Sequence, residues 1–363
     1  MKKLLAILLV LVMLVSLAAC GGGGDSAPTP APAPAAPQPG TNDSQDPPAA
    51  DSIPLLGVAV FDYANVFVSY VRQGIINYVG DRAEIQMVDA QNDQTRQNEQ
   101  IAAMIQRGVD ALLVNPVDPE SAPVMIDMAR DAGIPIIFFN RQPALEDLMA
   151  YENAWYVGVS ASNQGEVQAA LVMEWWAANP DADRNGDGVM QYAIIMGGLG
   201  NPDAEQRTAA NIATFAGANF ATELLDQQIA DWQATRAMEV TETWIGRFGD
   251  TLEIILTNSG AMALGAVEAI RTHGHDIPVV GINALPAELD LIEQGYMIGS
   301  VLTDPWGQAR AVVTLALNAI AGEADLTVGS EWVLTEERVV RIPDLLITLD
   351  NIHVAREVYS NVE

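Results

Sequence analysis

The most informative spacing in the chain is Asp183-Arg184-Asn185-Gly186-Asp187-Gly188-Val189-Met190-Gln191. It sets side-chain oxygens at loop positions 1, 3, 5 and 9 and a glycine at position 6 for the turn, with the Val189 backbone carbonyl at position 7. That is the opening of a twelve-position loop that wraps calcium in oxygen ligands. Position 12, where a bidentate glutamate closes the shell, is Ile194, so the loop is incomplete by itself. A second spacing is Asn201-Pro202-Asp203 with Arg207. Asn201 reads as a helix N-cap and Pro202 as the first helical residue, which puts Asp203 and Arg207 on one face. A carboxylate accepts from hydroxyls and a guanidinium donates to adjacent oxygens, so the two could grip a polyhydroxylated ligand. Facing solvent, they would form an ordinary ion pair worth little. No nucleophile–base motif, phosphate loop or catalytic-metal signature is present, and His273, His275 and His353 read as peripheral. An enzyme is therefore not expected.

These residues need a body to position them, and the chain first sets that body apart. Lys2 and Lys3 precede an apolar run from Leu4 to Leu17, which ends in Leu17-Ala18-Ala19-Cys20. The run is short for a membrane span and has the flanks of a signal peptide over residues 1–20. Its ending resembles a bacterial lipobox, which implies a lipid on Cys20 and tethering to a membrane. Residues 21–52 are Gly-, Pro- and Ala-rich with almost nothing large to bury, so they read as a disordered linker. Cys20 is the single cysteine, so no intramolecular disulfide can form. Beyond residue 20 the chain carries 15 arginines against 47 acids, a net charge of −32. So acidic a surface argues against nucleic acid and anionic lipid as partners.

From Leu55 the pattern alternates between apolar strands and helices. LLGVAVF (55–61), AEIQMVDA (83–90), ALLVNPV (111–117) and IPIIFFN (134–140) form one series of strands. YVGVS (156–160), QYAIIMGG (191–198), EIILTN (253–258), IPVVGIN (277–283) and MIGSVLT (297–303) form a second. Residues 94–107 between them have helical spacing. Continuous apolar strands alternating with helices predict parallel sheets covered on both faces. Residues 112–140 also line up with 254–283: strand, turn, helix, Ile-Pro, strand and a closing asparagine. Two similar α/β domains are therefore expected. In such sheets ligands bind beyond the carboxyl ends of the strands. The residues there, Asp62 to Phe67, Asn140-Arg141, Gly198 to Arg207, Asn258-Ser259, Asn283 and Thr303-Asp304, are polar and rich in amides, which suits a neutral polyol.

NDQTRQNEQIAAMIQRGVDALLVNPVDPES (92–121), IPIIFFNRQP (134–143), NPDAEQRT (201–208) and GINALP (281–286) resemble the periplasmic galactose/glucose-binding protein family, type I solute-binding proteins of sugar ABC importers. The resemblance runs from about Leu55 to near the C-terminus. It implies two Rossmann-like domains joined by three crossings near residues 159, 304 and 340. The lobes would be 53–159 with 304–340, and 160–303 with 341–363. By the same resemblance Phe67 and Trp232 stack on a sugar, while Asn65, Asn140, Asn201, Asp203, Arg207, Ser259, Asn283 and Thr303 make polar contacts. Asn65 and Asn283 stand where the family has aspartates, Asn201 where it has histidine, and Ser259 and Thr303 where it has asparagines. Two charged acceptors have become amides, which implies weaker glucose and galactose binding or another sugar. The family completes its calcium loop from a distant strand, and Glu253 matches that position. Asp183, Asn185, Asp187, Val189, Gln191 and Glu253 would then hold structural Ca2+. The implied function is capture of a galactose/glucose-like monosaccharide by a monomer and delivery to an ABC permease and its ATPase. Presentation to a chemoreceptor or sensor kinase would use the same pocket. The fold also serves LacI-type repressors, which the export signal and missing DNA-binding head oppose.

Overall fold

The computed structural model describes residues 53–360; the signal, the linker and Cys20 lie outside that span. The first lobe contains β1 (Leu55–Val60), α1 (Val66–Val79), β2 (Glu84–Asp89), α2 (Gln94–Gln106), β3 (Ala111–Val114), α3 (Ala122–Ala132), β4 (Ile136–Phe139), α4 (Leu145–Met149) and β5 (Ala154–Gly158). The second contains α5 (Ala161–Ala178), β6 (Met190–Met196), α6 (Pro202–Gly217), β7 (Thr222–Ile229), α7 (Ala234–Phe248), β8 (Ile254–Thr257), α8 (Gly260–Thr272), β9 (Val279–Asn283), α9 (Pro286–Glu293) and β10 (Met297–Thr303). The chain then returns with α10 (Pro305–Ala321) and β11 (Val339–Arg341). It ends with β12 (Asp344–Ile347) and α11 (Ile352–Ser360) in the second lobe.

Strand order is β11-β5-β4-β3-β1-β2 in one sheet and β12-β10-β9-β8-β6-β7 in the other. The orders superimpose element for element, so the repeat between 112–140 and 254–283 is β3-α3-β4 against β8-α8-β9. All pairings are parallel except β12, which runs antiparallel to β10. The central strands are wholly buried, as their unbroken apolar runs require. β7, TELLDQQI, was not among the strands expected; it is a half-exposed edge strand without an apolar run.

The chain changes lobe after β5, at Asp304, and at Ile342-Pro343. The third passage lies beyond residue 340 because Val339–Arg341 pair in register with Tyr156–Gly158. As a result α10 covers α1, β3, β4 and β5 of the first lobe, and α5 covers α6, β9, β10 and β12 of the second.

Helices α5 and α6 meet at Gly165, where a Cβ would run into the Arg207 backbone carbonyl and stand 2.8 Å from the Ala210 Cβ. Replacing Gly165 by alanine should therefore overpack this seam and lower the unfolding free energy by about 1–3 kcal/mol in urea titration. Gly217→Ala, where nothing lies within 4 Å, should change it by less than about 0.5 kcal/mol.

Candidate functional site

The helices that start at the strand ends need acceptors for their first N–H groups, and the candidate residues supply them. Asn65 caps α1, its Oδ1 accepting from Val68 N at 3.0 Å. Asn201 caps α6 through Ala204 N at 3.1 Å, and Ser259 caps α8 through Met262 N at 3.4 Å. The Asn283 Oδ1 accepts from Gly260 N at 3.3 Å, and the Thr303 hydroxyl accepts from Gln164 Nε2 at 2.8 Å. The Asn140 Oδ1 accepts from Asn115 Nδ2 at 3.3 Å. Asn140 and Asn283, the closing residues of the two repeats, both have left-handed backbones (φ 65° and 98°), a conformation asparagine tolerates.

Arg207 ties the second lobe's set together. Its Nε donates to Gln164 Oε1 at 2.7 Å and its Nη1 to the Asn258 carbonyl at 3.3 Å. Its guanidinium carbon lies 5.9 Å from the centre of the Trp232 ring. Trp232 takes a positive φ of 63° and lays its indole against Gly197, where no Cβ would fit. Asp203 does not pair with Arg207: among the described residues its carboxylate has neither a hydrogen bond nor an ion pair. It is 8% exposed, and burial raises its pKa against the pull of Arg207, Arg141 and Arg341. Phe67 sits in the first turn of α1, buried in the apolar core, and makes no ring contact with Trp232.

Arg141 stands in the strand-end segment but was given no role by the family match. Its guanidinium stacks on Phe61 at 3.6 Å, and Nη1 donates to the carbonyls of Pro116 and Val117 at 3.3 and 2.6 Å. Burial lowers its pKa to about 10, opposed by the field of Asp203, then Asp62 and Asp118. Gln164, which bridges Thr303, Arg207 and Asp344, carries no motif that would single it out. A recess of about 550 Å3 lies beside the second and third crossings, lined by Asp304 of the strand-end set together with Trp332, Arg341 and Pro343.

The Asp183 loop is closed on itself. Asp183 accepts from the backbone of Gly186, Asp187 and Gly188, and Asp187 accepts from Val189 N and Gln191 Nε2. Gly186 and Gly188 both take φ of 73°. Glu253, 1% exposed, reaches the loop from the lead-in to β8 and accepts from Arg184 N at 2.8 Å and Gln191 N at 2.9 Å. Burial raises its pKa despite these bonds, with Asp183 and Asp187 adding to the rise. No arginine pairs with the three carboxylates among the described residues. No three His, Cys, Asp or Glu there are gathered so as to hold a metal alone. The donor set fits a hard cation only with the oxygens of Asn185, Gln191 and Val189 included.

Residues 56–324 match the model of the periplasmic binding protein domain. The chain is 38% identical over 308 residues to the D-galactose/methyl-galactoside binding periplasmic protein MglB of Haemophilus influenzae, covering 84% of this chain and 92% of the relative. It is 28% identical over 256 residues to the ribose import binding protein RbsB of Bacillus subtilis, covering 69% and 76%. A Bacillus halodurans ABC transporter solute-binding protein with bound myo-inositol superimposes with a TM-score of 0.73 at 28% identity, covering 85% of this chain and all of that one. These relatives are binding proteins, not enzymes.

Behind Asn283 the loop continues through Ala284, also at positive φ, and is held by a buried carboxyl. Glu288 accepts from Leu285 N at 2.7 Å and from the Ser300 hydroxyl at 2.9 Å, and Ser300 in turn accepts from Ala284 N. Burial pushes the Glu288 pKa from 4.5 to about 8. Between those values the folded chain holds a proton that the unfolded chain has released, so stability falls as pH rises through the window. Thermal melts should lose midpoint steadily from pH 5 to pH 8, and Glu288→Gln should flatten that slope.

Proposed function

Because the chain belongs to the periplasmic binding protein domain family, we propose that it is an extracytoplasmic receptor that takes one cyclic monosaccharide between its lobes and delivers it to an ABC permease and its ATPase. One observation carries the reading. Asp203 is a buried carboxylate without a protein partner, on the same edge as Trp232 and the guanidinium of Arg207. Sugar hydroxyls would satisfy Asp203 and Arg207, and the apolar C–H face of a pyranose would pack on the indole. Phe67, Asn65 and Asn140 from the first lobe, with Asn201, Ser259, Asn283 and Thr303 from the second, would complete the grip. Ligand held from both sides favours the closed arrangement, because only there are all the contacts made; the three crossings form the hinge.

Two further parts belong to this reading. Cys20 would carry the lipid that tethers the receptor, with residues 21–52 as its stalk; none of the described helices is long and apolar enough to cross a membrane. Asp183, Asn185, Asp187, Gln191 and Glu253, with the Val189 carbonyl, would hold a calcium ion that neutralises the three carboxylates and stiffens the β6–β8 end of the second lobe.

The receptor should show a higher thermal midpoint with one class among pentoses, hexoses, hexuronates, their glycosides and cyclitols, and Trp232→Ala should remove the rise. No response to any of them would refute the sugar reading. Chelation should lower the ligand-free midpoint by about 5–10 °C, from about 2.7 kcal/mol of linkage at a hundredfold excess of calcium over its Kd. An unchanged midpoint would remove calcium from the scheme.

A further inference from the structure

The hydrogen-bonding balance of the cleft goes further than sugar in general. A backbone N–H can only donate, so the helix N-termini fix which way the cleft amides point. Asn65, Asn201 and Asn283 turn their oxygens to the N–H groups of Val68, Ala204 and Gly260 and leave their NH2 groups unengaged. Asn140 gives its oxygen to Asn115, and the oxygens of Ser259 and Thr303 accept from Met262 and Gln164. Among the described residues none of these six side chains donates to a protein acceptor, nor does the Trp232 indole. Of the ten candidate residues, Asp203 alone is a carboxylate.

The charge distribution leans the same way. Arg141 and Arg207 are 7% and 8% exposed, and both are bonded to neutral oxygens: the carbonyls of Pro116, Val117 and Asn258, and Gln164 Oε1. Among the described residues no carboxylate lies within ion-pair distance of either. Asp203, Asp62 and Asp118 act on Arg141 only from farther away. A neutral hexose brings one proton to place for each hydroxyl, into a cleft that offers mostly protons. A ligand carboxylate brings acceptors and no proton, and a guanidinium meets it in matched, charge-assisted geometry.

We propose that the ligand is an acidic monosaccharide, a hexuronate, whose carboxylate is received by Arg141 while its ring hydroxyls reach Asp203 and its C–H face lies on Trp232. This inference rests on the sugar-receptor reading and narrows it. Calorimetry on the purified full-length chain would compare D-galacturonate and D-glucuronate with D-galactose, D-glucose and myo-inositol. The uronates should bind about tenfold or more tightly than the matching hexoses. Arg141→Gln should shrink that ratio, and Asn283→Asp, which returns an acceptor and a negative charge, should shift it toward the neutral hexose. Hexoses or inositol binding as tightly as the uronates would overturn the acidic-ligand inference and leave the sugar reading standing. If none of the five bound, the acidic-ligand inference would fall, and the sugar reading would stand or fall on the pentoses and glycosides of the wider panel.

Discussion

A helix that begins at a ligand cleft must have its first N–H groups satisfied, and in this protein the cleft residues themselves do it. Asn65, Ser160, Asn201, Ser259 and Asp304 cap α1, α5, α6, α8 and α10, each directly after a strand or its short loop. Losing such a cap costs about 1 kcal/mol, so the residue type at these positions is set by folding before any ligand is considered. An oxygen that caps a helix faces the backbone, and whatever else the side chain carries faces away. An asparagine cap therefore presents an NH2 group outward where an aspartate cap would present a second oxygen. The change leaves the fold intact and reverses the hydrogen-bonding sense of the cleft.

The crossings tie that local rule to the passage of the chain between lobes. Because β5 is followed by α5 in the other lobe, the helix leaving the first passage lies against α6 at Gly165, against the carbonyl of Arg207 itself. One residue earlier, Gln164 is fully buried and joins Thr303, Arg207 and Asp344, residues at the ends of β10 and β12 and on α6. The candidate side chains of the second lobe are thus fixed by the element that enters it. Movement at the first crossing would carry them as one rigid set.

Much of this was legible in the sequence because buried parallel strands write unbroken apolar runs. Nine strands were legible, most of them by that mark and the edge strand β2 by its interleaved apolar residues, and the repeat between 112–140 and 254–283 marked equivalent places in two sheets of identical order. The strands that were missed lie at or near sheet edges: β7 is half polar, and β11 and β12 are three and four residues long. The i,i+4 spacing of Asp203 and Arg207 was legible; the absence of an ion pair between them was not. Arg207 is drawn instead to Gln164 and Asn258, long-range partners that no local pattern encodes. The buried Glu288 was invisible for the same reason, since on a short helix after Pro286 it reads as an ordinary surface charge.

The repeat also shows how one backbone plan yields an asymmetric cleft. Asn65 and Asn201 occupy matching caps, and Asn140 and Asn283 matching left-handed strand ends. Two residues past the caps the lobes diverge: the first lobe has Phe67 and the second Asp203. After the second strand of each sheet two consecutive residues take positive φ, Gln91 and Asn92 in one lobe and Asp231 and Trp232 in the other. An apolar ring thus stands where its counterpart is a carboxylate, and an indole where its counterpart is an amide. Shared backbone geometry makes the cleft two-sided, and the exchanged side chains give it a direction, which a symmetric pair of lobes could not impose on a ligand.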